Sequence, residues 1–194
     1  NNNDGTLNGA TQGVTGQVGS AYEFDGDDDY IHLNSTINLQ KTHTLSVCAK
    51  LNISYSNYDY RGIFSDYDSE RAYAFLFSKN DEILCNSGAT DYLSVNWTQN
   101  TDWHLFTIVR NGLDVDFYVD GQQVGTTQQF KSNTEFNIEY FGVRNDKGTF
   151  KQYWLGKIDN ARMYTSTLSS DGISATYDAT KSTPDFFEQG APLA

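Results

Sequence analysis

The sequence predicts an all-β fold, a two-sheet antiparallel β-sandwich carrying one short C-terminal helix. Three observations carry that expectation. Leu45, Val47, Ala49 and Leu51 alternate with Thr44, Ser46, Cys48 and Lys50, the period-two pattern that puts one set of side chains on each face of a sheet. Asp120-Gly121 separates two such runs, and Asp-Gly supplies the positive φ that both central residues of a type I′ hairpin turn need. Helical periodicity occurs once, near the C-terminus, so the alternating βα order of a parallel sheet is missing.

The elements follow in order. Residues 1–19 are polar, and Gly5, Gly9, Gly13, Gly16 and Gly19 punctuate short extended pieces at a glycine density no helix tolerates. Ser20–Phe24 and Tyr30–Leu33 read as strands around an acidic turn, and Thr42–Asn52 as the longest alternating strand. Residues 53–71 form a long tyrosine-rich connection with a short strand at Ile63-Phe64. Ala72–Ser78, Ile83–Cys85 and Tyr92–Trp97 follow as strands. Trp103–Arg110 and Asp114–Val119 lead through the Asp-Gly turn to Gln122–Thr127, and Asn137–Val143 and Trp154–Tyr164 close the set. Ser169-Ser170-Asp171 offers hydroxyl and carboxylate caps to a helix of about two turns. The expected domain is 1–178, with an extended tail over 179–194 that contains both prolines.

At 194 residues the chain is long enough for one self-sufficient domain. Its net charge of −12 argues against duplex nucleic acid and anionic membranes, both of which select basic surfaces. No apolar run approaches the 18 residues that a spanning helix needs. The chain opens on Asn1, and its only methionine is Met163, so it reads as a processed piece of a longer protein. Cys48 and Cys85 are the only cysteines. They are compatible with one disulfide or with two buried thiols, and the strong strand pattern around Cys48 favours a buried thiol. Three Asn-X-Ser/Thr matches, at Asn34, Asn52 and Asn96, are as many as this composition yields by chance.

One stretch stands out chemically. Phe24-Asp25-Gly26-Asp27-Asp28-Asp29-Tyr30 places four aspartates in five positions between strand-like flanks. Carboxylates so close raise the free energy of one another's ionised form. Solvent in an exposed turn relieves that repulsion, and so does a hard cation such as calcium, which takes six to eight oxygen ligands. The loop is not an EF-hand, because Tyr30 and Thr36 stand where that motif needs glycine and glutamate.

With these pieces in order, the sequence resembles the laminin G-like jelly-roll domains of the concanavalin A-like lectin/glucanase superfamily. Gly19–Gly26 with Asp28-Asp29-Tyr30-Ile31 is similar to that family's opening signature, and Thr44–Lys50 to its next strand, with Cys48 in a position usually held by tryptophan. Trp103-His104 and Phe117–Gly121 resemble the central hairpin, and Gly156–Tyr164 with Leu168-Ser169 the closing signature. The resemblance implies a calcium site joining the acidic turn to the closing strand, with Asp25, Asp29 and Asp159 as ligands. A hydrogen bond from Asp159 to a neighbouring loop amide is the alternative.

Catalysis finds little support. Retaining glycosidases need two carboxylates about 5–5.5 Å apart, and related glucanases alternate glutamate and aspartate along one strand. None of the six glutamates sits in such an alternation, and Asp114-Val115-Asp116 reads as a solvated face. The histidines offer no metal-ligand pair, and His104 reads as a packing residue. Binding fits better. Sugars are held by aromatic faces and planar polar groups, and the 53–71 connection supplies both kinds as Tyr58, Tyr60, Arg61, Asp66 and Tyr67. Trp97 and Trp154 are further platforms if they are not core. The resulting expectation is a non-catalytic carbohydrate-binding module of a larger secreted, cell-surface or virion protein. Its partners would be a glycan or cell-surface polysaccharide and other domains of the parent. The alternative is a structural or protein-binding module.

Overall fold

The computed structural model describes residues 4–52, 60–66, 81–87, 91–132 and 135–181, and the backbone of 72–78. The strands are, in chain order, β1 (Gly5–Asn8), β2 (Thr11–Thr15), β3 (Ser20–Asp25), β4 (Tyr30–Leu39), β5 (Thr42–Leu51), β6 (Arg61–Ser65), β7 (Ala72–Ser78) and β8 (Glu82–Ser87). They continue as β9 (Tyr92–Asn96), β10 (Trp103–Asn111), β11 (Asp114–Val119), β12 (Gln122–Gln129), β13 (Phe136–Phe141), β14 (Arg144–Asp146), β15 (Thr149–Lys151) and β16 (Leu155–Tyr164), followed by helix α1 (Ser170–Lys181).

Two antiparallel sheets face each other. The first runs β1-β4-β13-β6-β7-β8-β9 and the second β12-β11-β10-β5-β16-β3-β2. Alternation decides which side chains fill the space between them. Leu45, Val47, Ala49 and Leu51 of β5 point inward with Phe106, Ile108, Val115 and Phe117, and meet Leu33, Ile63, Ile83, Val95 and Ile138 of the first sheet. Trp154 and Phe24 are wholly buried within this layer, so Trp154 is core and not a platform. Both thiols are buried and free, in different sheets.

The expected Asp-Gly hairpin forms. Asp120 and Gly121 take φ of 53° and 78°, and Val119 pairs with Gln122 across the turn. A second turn of the same kind, at Lys147 and Gly148 with φ of 52° and 85°, makes the β14–β15 hairpin, which the sequence reading did not anticipate. Gly142 holds a close contact: a Cβ there would lie 2.4 Å from the Phe24 ring, and its φ is 78°.

Helix α1 covers the outer face of the second sheet. Ser169 Oγ caps it by accepting the Gly172 N–H at 3.2 Å. Thr44 Oγ1 donates to the Ser166 carbonyl and accepts the Leu168 N–H, at 3.0 and 2.9 Å. Gln17 Nε2 donates to the Thr180 carbonyl at 3.1 Å near the far end. Ile173 and Thr180 are its buried residues, seven apart and therefore on one face. That double anchor extends the helix to twelve residues, beyond the two turns expected and past residue 178. The cover also explains Cys48, which points outward from β5 and is nevertheless buried.

Candidate functional site

The acidic turn joins β3 to β4. Asp25 Oδ1 accepts the Asp27 N–H at 2.9 Å and the Asp28 N–H at 3.4 Å, the self-bonding geometry that suits aspartate to turns. Asp29 Oδ2 accepts the Asp25 N–H at 2.9 Å, which closes the loop on itself. Room for Asp29 comes from Gly9, where a Cβ would fall 1.9 Å from Asp29 Oδ1. Carboxylate oxygens of Asp25, Asp28 and Asp29 consequently lie within 4.8 Å of one another. Asp25 and Asp28 are exposed and Asp29 is buried. Burial pushes the Asp29 carboxyl above its ordinary range, opposed by the Asp25 amide and reinforced by the Asp25 and Asp28 charges.

Asp159 does not join them. Leu155 of β16 stands opposite Asp25 of β3, so Asp159 lies four residues farther along, about 13 Å at strand rise. Its Oδ2 accepts the Val18 N–H at 2.9 Å, in space left by Gly16, where a Cβ would lie 2.6 Å from that oxygen. The expected trio of Asp25, Asp29 and Asp159 is therefore divided, and Asp28 takes the third place. The register decides this, because it sets Asp159 opposite Cys48 on the face that α1 covers.

The expected sugar-binding residues are framework where they are described. Arg61, at the start of β6, donates from Nη1 to the Gly26 carbonyl at 2.9 Å and the Tyr153 carbonyl at 2.8 Å. It ties the acidic turn to the segment entering β16. Tyr60 packs on Leu84 on the outer face of the first sheet, and Asp66 is buried. Tyr58 and Tyr67 lie outside the described residues.

Beside the turn is an aromatic shelf that the sequence reading missed. Ile31 and Leu33 of β4 point into the sandwich, so Tyr30 and His32 point out, and Tyr140 of β13 stands opposite His32. His32 stacks on Tyr140 with centroids 4.6 Å apart and planes 9° apart. The β14–β15 hairpin brings Phe150 onto Tyr30 at 4.6 Å and edge-on to Tyr140 at 5.4 Å. Tyr140 is buried beneath, Tyr30 and Phe150 are half-buried, and His32 is exposed. Tyr153 adjoins the group: its hydroxyl is made less acidic by burial and then by Tyr30, Asp28 and Asp27. Two signals pointed to the shelf, the outward alternation of Tyr30 and His32 and the Lys147-Gly148 turn.

Other candidates resolve as structure. Asp114 accepts from Gln129 Nε2 at 2.6 Å, and Asp116 from Gln123 Nε2 and Thr127 Oγ1 at 2.9 and 2.6 Å, forming cross-strand ties on the outer face of the second sheet. His104 sits between Asp120 Oδ2 and Asn100 Oδ1 at 2.7 and 2.8 Å, with Trp97 edge-on. A cavity of about 490 Å³ opens between the sheets at the β1–β2 edge, walled by Leu7, Tyr22, Phe24, Ile31, Leu33 and Phe141. Asp4, Gln12, Asp159 and Asn160 add polar groups to its wall.

A laminin G-type family model, described as concanavalin A-like lectin/glucanases superfamily, matches residues 25–174, and the chain belongs to that superfamily. Solved structures share the fold. The binding domain of botulinum neurotoxin DC in complex with rat synaptotagmin II superposes with a TM-score of 0.71 at 13% identity, over 94% of this chain and 48% of that one. Domain 4 of AbnA, a GH43 extracellular arabinanase from Geobacillus stearothermophilus in complex with arabinotriose, gives 0.63 at 17% identity, over 88% and 86%. A botulinum neurotoxin type C structure, described with cell entry dependent on two ganglioside molecules, gives 0.69 at 11% identity, over 94% and 48%. The chain spans about half the length of the toxin domains, and at these identities the likeness is one of fold. No curated protein matches the chain in sequence.

Proposed function

We propose that this domain is a non-catalytic carbohydrate-binding module of a larger secreted, cell-surface or virion protein. The observation that carries the reading is the aromatic shelf of Tyr30, His32, Tyr140 and Phe150 on an open sheet face, next to a turn rich in polar groups. Sugar rings bind by laying apolar C–H patches on aromatic faces while planar polar groups satisfy their hydroxyls. His32, Tyr30 and Phe150 supply the faces, and Tyr140 fixes their spacing from below. The arabinotriose and ganglioside ligands of the structural neighbours support a glycan as the ligand class. Cross-strand ties occupy Asp114 and Asp116, the carboxylate alternation in the sequence that most nearly imitates a glucanase pair, which supports binding without catalysis.

Calcium is part of the same reading. Oxygens on one calcium lie 2.3–2.6 Å from the ion, so two of them stand at most about 5 Å apart, and the separations among Asp25, Asp28 and Asp29 fit that limit. These three side chains would hold the ion, which would neutralise their mutual repulsion and stiffen the turn that Arg61 fastens to the shelf side. Asp159 stays outside this set and keeps its bond to Val18.

The test is a glycan array probed with the domain in calcium and again in EDTA. Binding to a defined glycan supports the module. Loss on chelation places the ion in the working site, and persistence makes it structural or absent. Silence in both buffers contradicts the reading and favours a structural or protein-binding module.

A further inference from the structure

We propose that the shelf selects uncharged glycans and rejects those carrying carboxylate or sulfate groups. The inference rests on the reading above and deepens it by naming the ligand class. It follows from which charges border the rings. Asp25, Asp27 and Asp28 are exposed at the turn leading directly into Tyr30, and Asp29 is its immediate neighbour. Tyr30, Asp28 and Asp27 each act electrostatically on the Tyr153 hydroxyl.

Among the described residues, three cations beside the shelf, Arg61, Arg144 and Lys151, are already engaged. Arg61 Nη1 is given to the Gly26 and Tyr153 carbonyls. Arg144 reaches Gln152 Oε1 at 3.2 Å and Asp146 at 3.8 Å. Lys151 pairs with the same Asp146 at 3.0 Å. Recognition of an anionic sugar relies on a guanidinium or ammonium presented to it, and these groups are turned to protein partners. A dication held by Asp25, Asp28 and Asp29 would offset two of the four charges of the turn and leave the rim negative. Neutral hydroxyls meet no such barrier, because carboxylates and the un-ionised Tyr153 hydroxyl accept and donate to them.

The experiment is an array that pairs neutral glycans with their sialylated, uronate and sulfated counterparts. Hits are measured in solution for the wild-type domain and for Asp27→Asn, at low and physiological salt. The expected result is hits confined to the neutral members, with each acidic counterpart at least tenfold weaker. That deficit should shrink with salt, because screening acts only on the charged pair. In Asp27→Asn the ratio of neutral to acidic affinity should fall threefold or more. An acidic member binding as well as its neutral partner overturns the inference and leaves the module standing. Silence across both sets removes the shelf reading and this inference with it.

Discussion

Three carboxylates whose oxygens lie within 4.8 Å make the turn after β3 the most electrostatically loaded place among the described residues, and Asp29→Asn isolates that load. Two unit charges at this separation in water repel by about 0.9 kcal/mol, so Asp29 bears about 1.7 kcal/mol from Asp25 and Asp28 together. Asparagine keeps an oxygen for the Asp25 N–H but accepts it less strongly, at a cost of about 0.5–1 kcal/mol. The net gain is about 1 kcal/mol in EDTA at pH 7, a rise in Tm of about 2–4 °C for a domain of this size.

The pH dependence has a definite sign. The folded Asp29 carboxyl is held above its unfolded value by burial first, so the folded state keeps that proton longer. The wild type therefore loses stability as pH rises from about 4 through the folded value, and Asp29→Asn lacks this component. Below pH 4 the gap between the two narrows. With the proposed calcium site the order should reverse, because the wild type would gain RT ln(1 + [Ca]/Kd) and the variant less. Thermal unfolding by circular dichroism at pH 4, 5.5 and 7, in EDTA and in calcium, measures all of this. A variant less stable than wild type in EDTA at pH 7, with an equal calcium response, would refute the reasoning.

Other substitutions probe separate parts of the account. Asp159→Ala strands the Val18 amide and should cost about 1–3 kcal/mol in urea unfolding; the calcium-induced shift in Tm should stay as in wild type, and its loss would return Asp159 to the ligand set. Gly142→Ala drives a methyl into the Phe24 ring at positive φ and should cost about 2–4 kcal/mol, whereas a near-neutral result would mean the β13 end yields. Burial raises both thiols to about 12, so they stay protonated at pH 8; Ellman's reagent should react slowly with native protein and with two thiols per chain after unfolding. Rapid native reaction would contradict the packing of α1 over Cys48.

The sandwich was legible because its signals are local. Alternation in β5 and β11 and the Asp-Gly turn specify strands without reference to partners, and the pattern of motifs gave the superfamily. The acidic turn was also visible, since its charges are consecutive. The third member of its carboxylate group was misplaced because Asp159 depends on register: only the pairing of Leu155 with Asp25 reveals that Asp159 sits four residues too far along. The shelf was hidden for a similar reason. Tyr30, His32, Tyr140 and Phe150 span 120 positions and meet only through the β4–β13 pairing and the fold-back of the β14–β15 hairpin. The tyrosine-rich connection drew attention by composition, yet Arg61 and Tyr60 serve as strut and cover. Composition alone does not say which way a side chain faces.

The most direct measurement is isothermal titration of the strongest array glycan against wild type, Phe150→Ala and His32→Ala. The account predicts at least a tenfold loss of affinity in each variant, about 1.4 kcal/mol or more, with the far-ultraviolet spectrum unchanged and Tm within a few degrees of wild type. Full affinity in both variants would contradict it and place the ligand elsewhere on the sandwich.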